Sequence, residues 1–388
     1  MKTSNFFMGY KRPDGRVGVR NQIAVVPAVG CANGVVDEIC REVEGVINLK
    51  HQHGCGRMPE KQMHTDALIG LGANPNFYGT LVVGLGCEVI PPTEIYEGIK
   101  KSGTRCELLV IQEDGGSRKT AKKGIEIVKT MIEEAKSVER TEEPLSKLII
   151  GLECGGSDAL SGVTANPSIG KASDWIVGRG GSSILTETTE MIGAEDVLKE
   201  RCLTDEVRDK LLNRISETES QTFDLLGKGA GRIISPGNME GGMSTIQEKS
   251  LGCVKKGGST PIVEFLEYGQ KPTKNGLLFM DGPGYDIESL AGLFATGAQI
   301  AFFSSGRGNP IGFPGMPVIK VSSNSNVYNK MKDDIDVNAG EIFEGKTLDD
   351  IGNIMINKVL SVIDGEETKS EINKQNGVVS LYSYSRSF

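Results

Sequence analysis

Short apolar runs alternate along the chain with stretches whose apolar residues recur three and four positions apart. The runs "QIAVVPAVG" (22–30), "VINL" (46–49), "GTLVVGLG" (79–86), "CELLVIQ" (106–112), "KLIIGL" (147–152), "SSILTE" (182–187), "GLLFMD" (276–281) and "QIAFFSS" (299–305) read as strands. Between them, "VVDEICREVE", "EKQMHTDALIG", "TAKKGIEIVKTMIEEAK" and "DEVRDKLLNRISETESQTFDLL" carry the spacing of amphipathic helices. Such alternation predicts an α/β fold of mostly parallel, Rossmann-like sheets flanked by helices. The polar stretch "SVERTEEPLS" (137–146), with Pro144, is the linker candidate. It divides the chain into an N-terminal α/β domain (1–140) and a C-terminal one (147–388), two domains or lobes.

The strand ends add chemistry to this pattern. "LVVGLGCE" (81–88) and "LIIGLECG" (148–155) share three aliphatics, Gly-Leu, one residue and Cys, and a third strand ends at Cys31. Ligands of open α/β sheets gather beyond the carboxyl ends of the strands, so these thiols are candidates to converge on one crevice. The plainer reading of each is a small buried residue in a tight turn. Eight cysteines without a Cys-x-x-Cys pair speak against a zinc ribbon or thioredoxin-type site. The N-terminus lacks an apolar signal core and no stretch has the length of a membrane span, which predicts a cytoplasmic protein without membrane attachment. A net charge of −8 over 388 residues excludes general nucleic-acid binding, and leaves acidic small molecules to locally placed Arg and Lys.

All three histidines fall in "HQHGCGRMPEKQMH". His51 and Cys55, separated by a flexible Gly, are able to face one ion, and imidazole with thiolate suits iron or zinc; His64, in a helical pattern, reads as packing. "GLGCEVIPP" (84–92) lacks the third glycine of a dinucleotide fingerprint, and "GGSRKT" (115–120) has Arg118 where a P-loop needs Gly. A nucleotide-dependent oxidoreductase or kinase therefore fails in detail. Ser244 and Gln247 predict a capping box, with Asn238-Met239-Glu240 in the loop before it. Asp281 and Asp286 straddle a Pro-Gly turn as turn acceptors or oxygen ligands, and Arg307 between glycines suits capture of a carboxylate.

Taken in order, "RPDGRVGVRN" (12–21), "HQHGCG", "LVVGLGCE", "QEDGGSRKT", "GLECGGSDALSGVTANPSIG", "SPGNMEGGMSTIQEKSLG", "FMDGPGYD", "SGRGNP" and "DIDVNAGEI" resemble the altronate and galactarate dehydratase family, which includes the large subunit of sulfolactate sulfo-lyase. The resemblance runs from about residue 9 to about residue 371. It implies β-elimination from a 2-hydroxy acid: the C2 proton leaves, then hydroxide or sulfite from C3, and the enol rearranges to a 2-keto acid. It also implies Fe2+, with an iron–sulfur cluster or Mn2+ as alternatives.

Carried over by motif, the resemblance places the metal at Cys55, Cys87, Cys154 and His51. Catalytic roles fall to His51, Lys119 and Asp158, and substrate contacts to Arg20, Asn21, Ser157, Asn166, Asn238 and Arg307. Gly30-Cys31-Ala32 stands where single-chain members read Asn-Cys-Ser, which weakens a direct role for Cys31. Those members also carry a small SAF-type domain before the "RPDG" motif. The expectation is thus a large catalytic subunit that dehydrates a sugar acid such as altronate or galactarate, works with a small SAF-domain subunit and assembles into an oligomer. The alternatives are the large subunit of a (2R)-sulfolactate sulfo-lyase and a non-catalytic partner subunit.

Overall fold

The computed structural model describes residues 5–227 and 234–387. The strands are β1 (Phe6–Lys11), β2 (Val17–Gly18), β3 (Gln22–Pro27), β4 (Val46–Asn48), β5 (Phe77–Gly84), β6 (Arg105–Val110), β7 (Thr141–Pro144), β8 (Ile149–Cys154), β9 (Ser182–Leu185), β10 (Ile262–Leu266), β11 (Leu277–Met280), β12 (Ile300–Ser305), β13 (Val318–Ser322) and β14 (Val337–Asn338). The helices are α1 (Asn33–Glu42), α2 (Lys61–Gly72), α3 (Pro92–Lys101), α4 (Ser117–Lys136), α5 (Ala165–Val177), α6 (Glu195–Arg201), α7 (Asp205–Leu226), α8 (Pro236–Glu240), α9 (Ile246–Cys253), α10 (Asp286–Thr296), α11 (Ser325–Lys330), α12 (Leu348–Ile363) and α13 (Lys369–Ile372). The α/β class and the parallel sheets expected from periodicity are present.

A four-stranded parallel sheet, order β4-β3-β5-β6, occupies the N-terminal part, and a seven-stranded parallel sheet, order β10-β11-β9-β8-β12-β13-β14, the C-terminal part. In each sheet the chain starts centrally, at β3 or β8, and later strands add on both sides. Each sheet therefore has its change of winding direction beside its first strand, where open α/β sheets bind ligands.

Helices cover both faces. Ile150, Leu152 and Phe302 turn one face of the large sheet toward Ile169 and Ala172 of α5 and Met355 and Val359 of α12. Ala301 and Phe303 turn the other toward Leu68 of α2 and Phe294 of α10. The same core contains Ala24, Val26 and Val82 of the small sheet, so α2 lies between the two sheets and belongs to both. The small sheet's other face packs Val25, Leu81 and Val83 on Ile39 of α1 and Val128 of α4.

Three local expectations are corrected. The stretch 137–146 is more than a linker, because Thr141–Pro144 pairs antiparallel with β1. The cap of α9 is Thr245, whose side chain accepts from the Glu248 N–H, while Ser244 binds the Glu248 carboxylate at 2.8 Å. Asn238, Met239 and Glu240 lie in the short helix α8, capped by Ser235, rather than in a loop. Among the described residues no helix is long and apolar enough to cross a membrane.

Candidate functional site

The carboxyl edge of the seven-stranded sheet collects a set of buried ionisable side chains. β8 ends at Cys154, and the chain must turn at once against β12. A Cβ at Gly155 would come within 2.6 Å of the Phe303 ring, so only glycine fits there. β9 ends at Leu185, and Glu187 follows in the left-handed region with φ 71°. A buried non-glycine residue in that conformation stores strain of order ~1–3 kcal/mol and persists only where its surroundings demand it. Here the demand is electrostatic: Glu187 Oε2 accepts the Cys154 N–H at 3.1 Å and Lys256 Nζ at 2.6 Å, with both side chains of the ion pair fully buried.

Glu190, one short turn later, receives two thiols. Cys154 Sγ lies 2.7 Å and Cys253 Sγ 2.9 Å from its Oε2, and the sulfurs are 3.4 Å apart. Lys249 pairs with the other Glu190 oxygen. Lys249 and Cys253 stand four residues apart on α9, a spacing that puts both on one helix face. Asp286 opens α10 and accepts from Asn309 Nδ2 at 3.0 Å. Glu153, buried on the opposite face of β8, accepts from the Ser289 hydroxyl and has an Oε1 without a hydrogen-bond partner, as does Glu187.

This burial shifts the acids toward neutrality. Desolvation, then the nearby Glu190, pushes Glu187 up to about 7 against the pull of the lysines. Desolvation and Glu190 likewise raise Asp286 to about 6. Burial opposes ionisation of Glu190 too, but Lys249 and Lys256 outweigh it and hold that carboxylate below its ordinary range. The Cys154 thiol is pushed well up, first by burial and then by Cys253 and the two glutamates. Two carboxylates and two ammonium groups thus form a charge-balanced buried set around the sulfurs of Cys154 and Cys253.

The sequence-derived candidates divide between the two sheet edges. Cys154, Ser157, Asp158, Asn166, Asn238 and Arg307 lie along the large sheet's edge. Asp158 is engaged by Ser161 at 2.7 Å, Ser323 at 2.7 Å and Asn324 at 2.9 Å. Asn166 bridges Ser304 and the Gly252 carbonyl, Asn238 donates to the Ser157 carbonyl, Ser157 Oγ points back to Gly155 O, and Arg307 reaches Glu240 at 2.8 Å. His51, Cys55, Cys87 and Lys119 lie at the small sheet's edge. Cys55, Cys87 and Lys119 are exposed, and the buried His51 spends its ring nitrogens on Pro27 O at 2.7 Å and the His53 N–H at 3.0 Å. The Gly-x-Gly turn there is filled by its own Glu88, which takes the N–H groups of Leu85 and Gly86. Arg20 and Asn21 sit at neither edge: Arg20 clamps Glu371 through two 3.0 Å bonds, and Asn21 links Arg12 to Ala135 O.

Among the described residues, the group of thiols and carboxylates able to share one ion is Cys154, Glu190 and Cys253, with ligand atoms within 4.8 Å of one another. Of the four residues expected at the metal, only Cys154 belongs to it. The set fits a divalent ion on charge grounds, since replacing two thiol protons by one such ion leaves the balance unchanged. Glu187, Glu190, Lys249, Cys253 and Lys256 escaped the sequence reading. Their signal was present: carboxylates immediately after a strand in "LTETTE", and Lys and Cys four apart in "EKSLGCVKK". A cavity of about 800 Å³ lined by Arg214, Tyr268, Tyr382 and Tyr384 also borders Asp281, whose carboxylate takes the Thr188 hydroxyl at 2.6 Å.

Two family models match the chain: D-galactarate dehydratase/altronate hydrolase, second domain, over residues 9–136, and D-galactarate/altronate dehydratase, C-terminal, over residues 145–385. The altronate dehydratase of Bacillus subtilis (strain 168) is 37% identical over 349 residues, covering 87% of this chain and 69% of that protein. The galactarate dehydratase (L-threo-forming) of Escherichia coli (strain K12) is 33% identical over 383 residues, 93% and 73% of the two chains. The (2R)-sulfolactate sulfo-lyase subunit beta of Chromohalobacter salexigens is 31% identical over 373 residues, 94% of each chain.

Proposed function

Because this chain belongs to the D-galactarate/altronate dehydratase family, and is a lyase as its named relatives are, we propose that it dehydrates a sugar acid of the altronate or galactarate type to a 2-keto-3-deoxy acid. The observation that carries this reading is the cluster at the end of β8 and β9, where buried carboxyls raised toward neutral pH adjoin two lysines. Removal of a proton from the carbon beside a carboxylate needs a base and a cation for the charge that develops. Asp286, at the less buried rim, is the base. Lys249 faces the growing negative charge. Glu187 can carry a proton on its unpartnered Oε1, and that proton serves the departing hydroxide. Cys154, Cys253 and Glu190 are the residues that would hold the iron implied by the family resemblance, and such an ion would supply a Lewis acid for the substrate carboxylate.

The experiment is turnover by the anaerobically purified, iron-supplied protein on altronate, galactarate and sulfolactate, with 2-keto acid and sulfite measured separately. Keto acid from a sugar acid supports the proposal. Sulfite from sulfolactate alone replaces it with the sulfo-lyase reading, and no turnover under any arrangement of subunits leaves the non-catalytic role.

A second reading, favoured by a relative whose name makes it a subunit, is that activity needs a second polypeptide, for which the family resemblance suggests a small SAF-type subunit. Adding such a small subunit should raise activity from near zero. Equal rates with and without it would remove this requirement.

A further inference from the structure

We infer that Cys154, Cys253 and Glu190 form a selective site for a thiophilic divalent ion, one that accepts iron(II), cobalt(II) and zinc(II), refuses magnesium, and yields its iron to zinc. The inference rests on the lyase reading only for what the ion does, since binding stands on the donors alone. Three features carry it. Both sulfurs already point at one carboxylate oxygen, at 2.7 and 2.9 Å, and the 3.4 Å between them places all three donors around one point. The donors come from three separate segments: the end of β8, the turn after β9 and the last residue of α9. The surrounding fold holds each of them, with Cys154 and Cys253 both 1% exposed and Glu190 3%. An arrangement so buried needs no chain movement to close around an ion.

The lysines complete the case. Lys249 holds the Glu190 oxygen that the thiols leave free, and Lys256 holds Glu187, whose Oε2 in turn fixes the Cys154 backbone. The two ammonium groups, together with the bound divalent ion, balance the two thiolates and the Glu187 and Glu190 carboxylates, a charge load that a buried site otherwise tolerates poorly. They act as positioning residues for the donors. Two sulfurs and one oxygen are a soft donor set, which favours iron, cobalt and zinc over the hard ions that take oxygen ligands. Three protein donors is also the count of catalytic rather than structural sites. In the divalent series zinc binds such donors more tightly than iron, so zinc is expected to displace it.

The test uses the whole protein, stripped of metal under anaerobic conditions, and cobalt(II) as probe. Wild type should bind one ion per chain with a thiolate-to-cobalt charge-transfer absorption. Bound ion should also shield two thiols, Cys154 and Cys253, from alkylation in unfolding-limited labelling read by mass spectrometry. Cys154→Ser and Cys253→Ser should each weaken binding at least tenfold and diminish the band, whereas Cys55→Ser and Cys87→Ser leave both unchanged. Zinc should bleach the band at equimolar concentration and a hundredfold excess of magnesium should not. If the serine variants fail to fold, the labelling of wild type still decides, because shielding of any other pair of thiols overturns the assignment. Retention of the band in folded Cys253→Ser, or its loss in Cys55→Ser, does so as well. Cobalt bound at this triad in a protein that turns over no hydroxy acid refutes the lyase substrate and leaves the site standing.

Discussion

At the scale of single residues, Asp286 and the Glu187–Lys256 pair make opposite demands. Asp286 is accessible enough to meet a substrate, and its carboxyl is raised to about 6 by burial and Glu190. As a base it works ionised, so kcat/KM should fall as pH drops below about 6, where an unperturbed carboxylate would hold activity down to ~4. Asp286→Asn should cost ~10²–10⁴ in kcat while the protein stays folded, the usual worth of a positioned acid or base. A pH–rate profile and single-turnover rates measure both, and an unchanged rate in the variant removes Asp286 from the chemistry. Lys256 and Glu187 are both fully buried, so their pairing is structural as well as chemical. Lys256→Met leaves a buried carboxylate without its partner and should destabilise the fold by ~3–5 kcal/mol in denaturant titration. The double change Lys256→Met with Glu187→Leu should recover most of that loss, because removing both charges also removes the desolvation penalty. Of these residues the sequence showed only Asp286 as a candidate, for a physical reason. A buried ion pair joins positions 69 apart, and no local spacing encodes that contact.

Among the elements, those with a strong period were legible and those held by pairing alone were not. β3, β5, β8 and β12 are buried on both faces and read as apolar runs. α7 matches its predicted span, 205–226. β7 went unseen because "TEEP" carries no apolar alternation; it exists by lending backbone groups to β1. The motifs read from the sequence end near residue 371, yet the C-terminal segment beyond them closes over the histidine cluster. His53 Nε2 accepts the Leu381 N–H at 2.9 Å, His64 contacts Tyr382 O at 2.9 Å, and Glu60 takes the N–H groups of Tyr384 and Ser385. Val379 and Leu381 fill the core beneath. Burial depresses the neighbouring His51 to about 4, and burial with His51 and His64 takes His53 to about 3. The folded state therefore disfavours protons that the unfolded chain binds below ~6.5. Stability is complete above that value and is lost as pH falls toward 4, so the melting temperature should decline across that window. Replacing His53 with Gln should flatten the decline. Deleting the chain from Val379 onward should cost ~3–6 kcal/mol, the burial of two aliphatic side chains at ~1.5–3 kcal/mol each.

For the molecule as a whole, the polar stretch 137–146 suggested two lobes, and the packing shows how tightly the two sheets are bound to each other. The Phe77 ring meets Phe294 edge-on with centroids 5.4 Å apart. A Cβ at Gly70 of α2 would lie 2.3 Å from the Ala295 carbonyl, so the helices α2 and α10 touch backbone to backbone. Asn74 donates to Phe294 O and Ala298 O, Asn76 to Gln299 O and Gly315 O, and Gln299 returns a bond to Val17 O. Each of these hydrogen bonds would be exchanged for one to water if the sheets separated, at a net ~0.5–1.5 kcal/mol apiece. Leu68, Leu71 and Phe77, each fully buried, would lose part of their cover at the same time. Residues 1–136 expressed alone should consequently expose this face and bind a hydrophobic dye or aggregate. The full chain should unfold in a single calorimetric transition. Asn76→Ala should lower that transition without splitting it, because its amide serves both sides of the seam. Two resolved transitions in the wild-type protein, or a monomeric fragment 1–136 with native-like dispersion in its amide spectrum, would show instead that each sheet carries a core sufficient to itself.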